Sequence, residues 1–167
     1  MAATYFTFQQ LLNNDEYQTL RDTLMEEYNT PKETIQTVND YFNQVLVLYN
    51  PDSVDYDQAG ALSYIISGLR SIIETYPEYL GKFQCLEITI VTHNDQIYPD
   101  AGYIMYRFCI KQEYHKELPK GKYWEYGLES VKDQFINSLM VGDDACSWYK
   151  GFHDSNREII IYQETGY

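Results

Sequence analysis

The chain has 167 residues, 44% of them hydrophobic and 22% charged, with 25 acids against 12 bases and a formal charge of −13. That length and composition fit one globular unit with its own core, and they argue against a disordered or disulfide-stapled chain. The charge argues against direct binding to DNA, RNA or an anionic membrane, since all three recruit lysine and arginine.

The first helical pattern runs from about Thr7 to Tyr28. Phe8, Leu11 and Leu12 share one face, and Leu20, Leu24 and Tyr28 share another at a spacing of four. Asn13-Asn14-Asp15 reads as a break, with Asn or Asp capping a second helix. Thr30-Pro31-Lys32-Glu33 reads as the next start: Thr30 as N-cap, Pro31 as first helical residue and Glu33 closing a capping box. Ile35, Val38, Phe42, Val45 and Tyr49 continue at helical spacing, so this helix is predicted to run to Asn50-Pro51. A third helix begins near Asp57. It carries a broad apolar stripe from Leu62 to Tyr76 and stops at Pro77. Gly60 and Gly68 weaken it or let a neighbour approach closely.

Beyond Pro77 the period changes from helical to alternating. Phe83–Thr92 places Leu86, Ile88 and Ile90 on one face, and Tyr103–Gln112 does the same with Ile104, Tyr106, Phe108 and Ile110. The two read as an antiparallel hairpin with a long connection, marked by Asn94-Asp95 and Pro99–Gly102. A helix is predicted over Leu128–Met140 and a third strand over Glu158–Gln163. The fold class is therefore α+β: a three-helix N-terminal half packed on a small antiparallel sheet of about three strands, with one further helix. The predicted division is an acidic helical part, 1–80, and a β-β-α-β part, 81–167, joined in one compact unit.

Cys85, Cys109 and Cys146 are an odd set at wide spacing and read as reduced thiols of a cytoplasmic protein. A Cys85–Cys109 bridge across neighbouring strands is an alternative that a reducing cytosol disfavours. No apolar run approaches the ~20 residues that span a bilayer, and Met1–Phe8 lacks the basic opening of a secretory signal.

No motif for phosphate, dinucleotide or zinc binding is present, nor the glycine-flanked serine of a hydrolase elbow. Cys146 and His153 are separated by loop-like composition and read as a partly buried thiol and a surface imidazole rather than a catalytic pair. His93 and His115 complete the histidines; His115 sits in a charged, solvated stretch. Asp52, Asp55 and Asp57 lack the glycine and terminal glutamate of a calcium loop, and Asp143-Asp144 reads as helix punctuation. No catalytic residue, metal or cofactor is predicted. Lys111, Lys116, Lys120 and Lys122 lie among Tyr114, Tyr123 and Trp124. Glu113, Glu117 and Glu125 largely neutralise them. Trp148, Tyr149 and Phe152 read as core, with an exposed anchor as the alternative.

The informative feature is where the acids sit. Residues 1–80 carry 12 acids against 3 bases, whereas 81–167 carry 13 against 9. Asp15, Asp22 and Glu26 follow one another at steps of seven and four, opposite Leu20 and Leu24. Asp52, Asp55 and Asp57 form a dense acidic segment, and Tyr17 and Tyr56 interleave rings with these carboxylates. A solvated face that serves solubility is the plain reading. A one-sign surface also steers a protein toward a positive partner. Carboxylates with flat rings present what a nucleic-acid groove binds, namely negative charge and stacking surface.

In composition the chain resembles phage-encoded acidic inhibitors of the anti-restriction and anti-CRISPR kind. That resemblance implies a protein–protein inhibitor whose partner is a basic nucleic-acid-binding protein, such as a nuclease or CRISPR effector. Its contact residues would be Asp15, Tyr17, Asp22, Glu26, Asp52, Asp55, Tyr56 and Asp57. An immunity or antitoxin-like protein facing a basic toxin, an oligomerising scaffold and an enzyme of unrecognised type are the alternative readings.

Overall fold

Thr7 is where the first strand becomes the first helix. Its Oγ1 accepts from the Gln10 N–H at 3.0 Å, and Gln10 Oε1 accepts from the Thr7 N–H at 2.8 Å, which closes a capping box. The computed structural model describes residues 4–51, 57–92, 102–111, 113–114 and 158–165. Strand β1 (Thr4–Thr7) runs straight into α1 (Phe8–Asn13). The predicted break follows: Asn14 Oδ1 accepts from Glu16 N–H at 2.9 Å and caps a 3₁₀ turn, Asp15–Tyr17. Helix α2 (Gln18–Glu26) comes next, and Asn29, at a φ of 51°, turns the chain away from it.

The next helix starts one residue later than its sequence signature implies. Helix α3 (Lys32–Tyr41) has Pro31 at its N-cap and no side-chain cap bond. Thr30 is buried instead, with its hydroxyl on the Tyr28 carbonyl at 3.2 Å and 3.4 Å from Ser63 Oγ. Packing against the third long helix, α4 (Gln58–Thr75), outcompetes the cap.

The larger correction concerns residues 45–49, predicted as the end of a helix and found in strand β2 (Val45–Pro51). Helix α3 stops at Tyr41, and Asn43, at a φ of 69°, supplies the left-handed turn that a continuing helix forbids. Val45 and Tyr49 share a side at helical spacing, but a separation of four also puts them on one face of a strand. The two periods coincide there, and the β-branched Val45 and Val47 favour the strand.

Helix α4 begins beside Asp57, where the third helix is expected; Asp57 caps it, and it buries Leu62, Ile65, Ile66, Leu69 and Ile72. Strand β3 (Phe83–Thr92) matches its sequence pattern, and β4 (Gly102–Ile110) ends two residues before the predicted limit. Strand β5 (Glu158–Thr165) extends two residues past its predicted end. The predicted helix Leu128–Met140 lies outside the described residues.

Among the described residues the sheet therefore has five strands in the order β1-β2-β3-β4-β5, not about three. It is mixed rather than purely antiparallel. Strand β2 runs parallel to β3, with α4 as the crossover, while the other neighbours are antiparallel. Two strands come from residues 1–80, so the sheet joins both predicted parts.

One face of the sheet carries the core. Phe6, Val47, Ile88, Tyr106 and Phe108 lie under Leu11, Ile35, Val38, Leu62, Ile65 and Leu69 of the helices. Phe42 anchors an aromatic group, with ring centroids 4.8 Å from Tyr41, 4.9 Å from Phe83 and 5.7 Å from Phe108. Each such side chain contributes ~1.5–3 kcal/mol by leaving water, which is why the helices are held to this face. Among the described residues, no helix is long and apolar enough to cross a membrane.

Candidate functional site: an acidic face on the second helix

Helix α2 turns Leu24 fully into the core and packs Leu20 against it. Asp22 and Glu26 lie two residues to either side of Leu24, about 200° around the helix, and so face outward. They are one turn apart, with Cβ atoms roughly 5–6 Å from each other. Glu26 is exposed and Asp22 half-buried.

Arg21 is the one base on this helix, and it does not offset that charge. Its Nη1 donates to the Leu11 carbonyl at 2.8 Å and lies 3.4 Å from the Asn14 carbonyl. There it satisfies the C-terminal carbonyls of α1, where a helix favours positive charge. The described ion pairs are Arg70–Glu74 at 3.9 Å and Arg107–Glu87 at 3.1 Å. Among the described residues, no cation is paired with Asp15, Asp22 or Glu26.

Asp15 is exposed on the 3₁₀ turn, off the helical stripe to which its spacing assigned it. Tyr17 is half-buried, with its ring 5.0 Å from that of Phe6. Burial first, and Glu16 second, push its phenol up from the ordinary value. It braces α2 against β1 more than it presents an open ring.

Asp57 is exposed but already engaged. Its Oδ1 accepts from the Gly60 N–H at 3.0 Å and caps α4, while its Oδ2 accepts from the Tyr28 hydroxyl. Tyr28 follows the acidic end of α2, so this bond ties that end to the start of α4. Gly60 makes room for it: a Cβ there would meet Asp57 Oδ2 at 2.5 Å and Tyr28 Oη at 3.1 Å. Asp57-x-x-Gly60 is readable as a cap from sequence; its partner Tyr28, 29 residues earlier, has no local signal. Asp52, Asp55 and Tyr56 lie outside the described residues, as do His93, His115, His153 and Cys146.

A cleft of about 290 Å³ between α3 and α4 is lined by Glu33, Thr34, Thr37, Arg70, Ile73 and Glu74. The strongly displaced phenol, Tyr41, lies elsewhere; burial and then Glu78 raise it. Among the described residues, no group of three or more His, Cys, Asp or Glu is placed to hold a metal ion. Tyr114 and Tyr79 both present their faces to Lys82, whose Nζ is 5.4 Å from each ring centroid. On the outer sheet face Tyr5 stands opposite Leu48, and both are exposed.

No family model, curated protein or solved structure matches the chain.

Proposed function

We propose that the protein is an acidic inhibitor that binds the positively charged nucleic-acid groove of a nuclease-type partner. The observation that carries this reading is the outward pair Asp22 and Glu26 on α2, left uncompensated because Arg21 is committed to the carbonyl end of α1. Like charges one turn apart cost a helix ~0.2–0.5 kcal/mol, a cost that an approaching arginine or lysine reverses. The carboxylates would take the place of phosphates as ligands of those cations. Long-range attraction would speed encounter in a salt-dependent manner. A cytoplasmic setting accords with the odd and widely spaced cysteines.

The test uses purified full-length protein against a panel of nucleases with basic grooves. Inhibition that weakens with salt and is relieved by excess duplex DNA or RNA supports the reading. Asp15→Lys, Asp22→Lys and Glu26→Lys combined should abolish that inhibition while leaving the melting temperature nearly unchanged. Asp57 is left out of this set because its carboxylate caps α4. Inhibition that survives the triple reversal would overturn the assignment. Binding to a basic toxin with no competition from nucleic acid would favour the immunity-protein alternative.

A further inference from the structure

Cys85 and Cys109 stand directly opposite each other across the antiparallel pair β3–β4. Opposed residues of such a pair project from the same side of the sheet, with Cα atoms ~4.5 or ~5.5 Å apart. Both separations fall inside the ~4.4–6.8 Å range that a disulfide spans. The two side chains are thiols in this structure, and each is half-buried on the outer face, away from the helical core.

The opposition is held firmly. The next pair inward is Leu86 with Phe108, both fully buried, so register slippage would drag core residues into water. The next pair on the outer face is Glu87 with Arg107, joined at 3.1 Å. On the far side Phe83 pairs with buried Ile110, and a bulge falls between Phe83 and Cys85. A bulge sharpens local twist and re-aims the side chains beside it. Cys109 Sγ lies 3.9 Å from the Arg107 carbonyl, a weak contact that a change of rotamer gives up.

We propose that Cys85 and Cys109 form a reversible dithiol–disulfide modification site, a cross-strand pair that closes when the surrounding glutathione pool becomes oxidised. One thiolate attacks glutathione disulfide, forming a mixed disulfide and releasing one glutathione as its thiol. The second protein thiolate then displaces the bound glutathione. The protein loses two protons and two electrons, and one glutathione disulfide becomes two glutathione thiols. The closed bridge would lock β3 to β4. This site is independent of the acidic face on α2, so neither proposal depends on the other.

The experiment equilibrates the full chain in glutathione buffers of graded oxidation, quenches by alkylation and maps the peptides by mass spectrometry. The expected product is a Cys85–Cys109 linked peptide pair whose yield follows a single two-electron couple and which dithiothreitol reverses. Cys85→Ser and Cys109→Ser should each halt at the glutathione adduct on the remaining cysteine of the pair. Persistent glutathione adducts in the wild-type protein without a bridge, or bridging to Cys146 instead, would overturn the proposal. The wild-type map decides the matter even if a serine variant fails to fold.

Discussion

Asn39 Oδ1 accepts a hydrogen bond from the backbone N–H of Val45 at 3.0 Å, and the bond is buried. Asn39 sits in the last turn of α3 and Val45 opens β2, so one side chain supplies the acceptor the chain needs as it leaves the helix. Asn39→Ala should leave that N–H buried without a partner, at a cost of ~1–3 kcal/mol. Urea unfolding should show a lower midpoint with an unchanged slope; an unmoved midpoint would mean that water replaces the amide.

Asp57 and Gly60 should be energetically coupled. Alanine normally stabilises a helix by up to ~1 kcal/mol over glycine, yet at position 60 its methyl would displace the Asp57 carboxylate from Tyr28. Gly60→Ala alone should therefore gain no stability. In an Asp57→Ala background, itself ~0.5–2 kcal/mol less stable through loss of the cap, the same change should be stabilising. Thermal melts of the four proteins test this, and simple additivity would contradict it.

Tyr41 makes stability fall in alkali. Its hydroxyl donates to the Tyr76 carbonyl, and burial followed by Glu78 raises its pKa well above the ordinary 10.0. The unfolded chain releases this proton near pH 10 while the folded chain keeps it, so the folded state binds more protons above that pH. The contribution is present in full below pH ~10 and declines as the pH rises further. Melting temperature followed with tyrosinate absorbance should show that decline, and Tyr41→Phe should flatten it. The same variant should lose ~1 kcal/mol at neutral pH with the hydrogen bond. An equal alkaline slope in the variant would assign the effect to the other buried tyrosines.

Asn43 combines a left-handed backbone with a bond from its Nδ2 to the Gln84 carbonyl at 3.1 Å. Asn43→Gly keeps the backbone at ease and loses only that bond. Asn43→Ala loses the bond and adds ~1–2 kcal/mol of strain. The order of unfolding midpoints should be wild type, glycine, then alanine. Equal glycine and alanine variants would show that the turn is not strained.

Much of this architecture is legible along the chain because its determinants are local. The alternation of Leu86, Ile88 and Ile90 sets β3 to the residue, and Asp57 with the apolar stripe that follows sets α4. The break at Asn13-Asn14-Asp15 and the uneven distribution of acids are equally plain in the sequence. Tertiary structure alone decided the rest, because the competing local states are close in energy and distant partners choose between them. Residues 45–49 satisfy both periods, and pairing with β1 and β3 makes them a strand. Thr30 had a cap's identity, and contact near Ser63 took it elsewhere. Which carboxylates remain available also depended on distant groups: Tyr28 holds Asp57 from 29 residues away, whereas Arg21 turns from Asp22 to the carbonyls of α1.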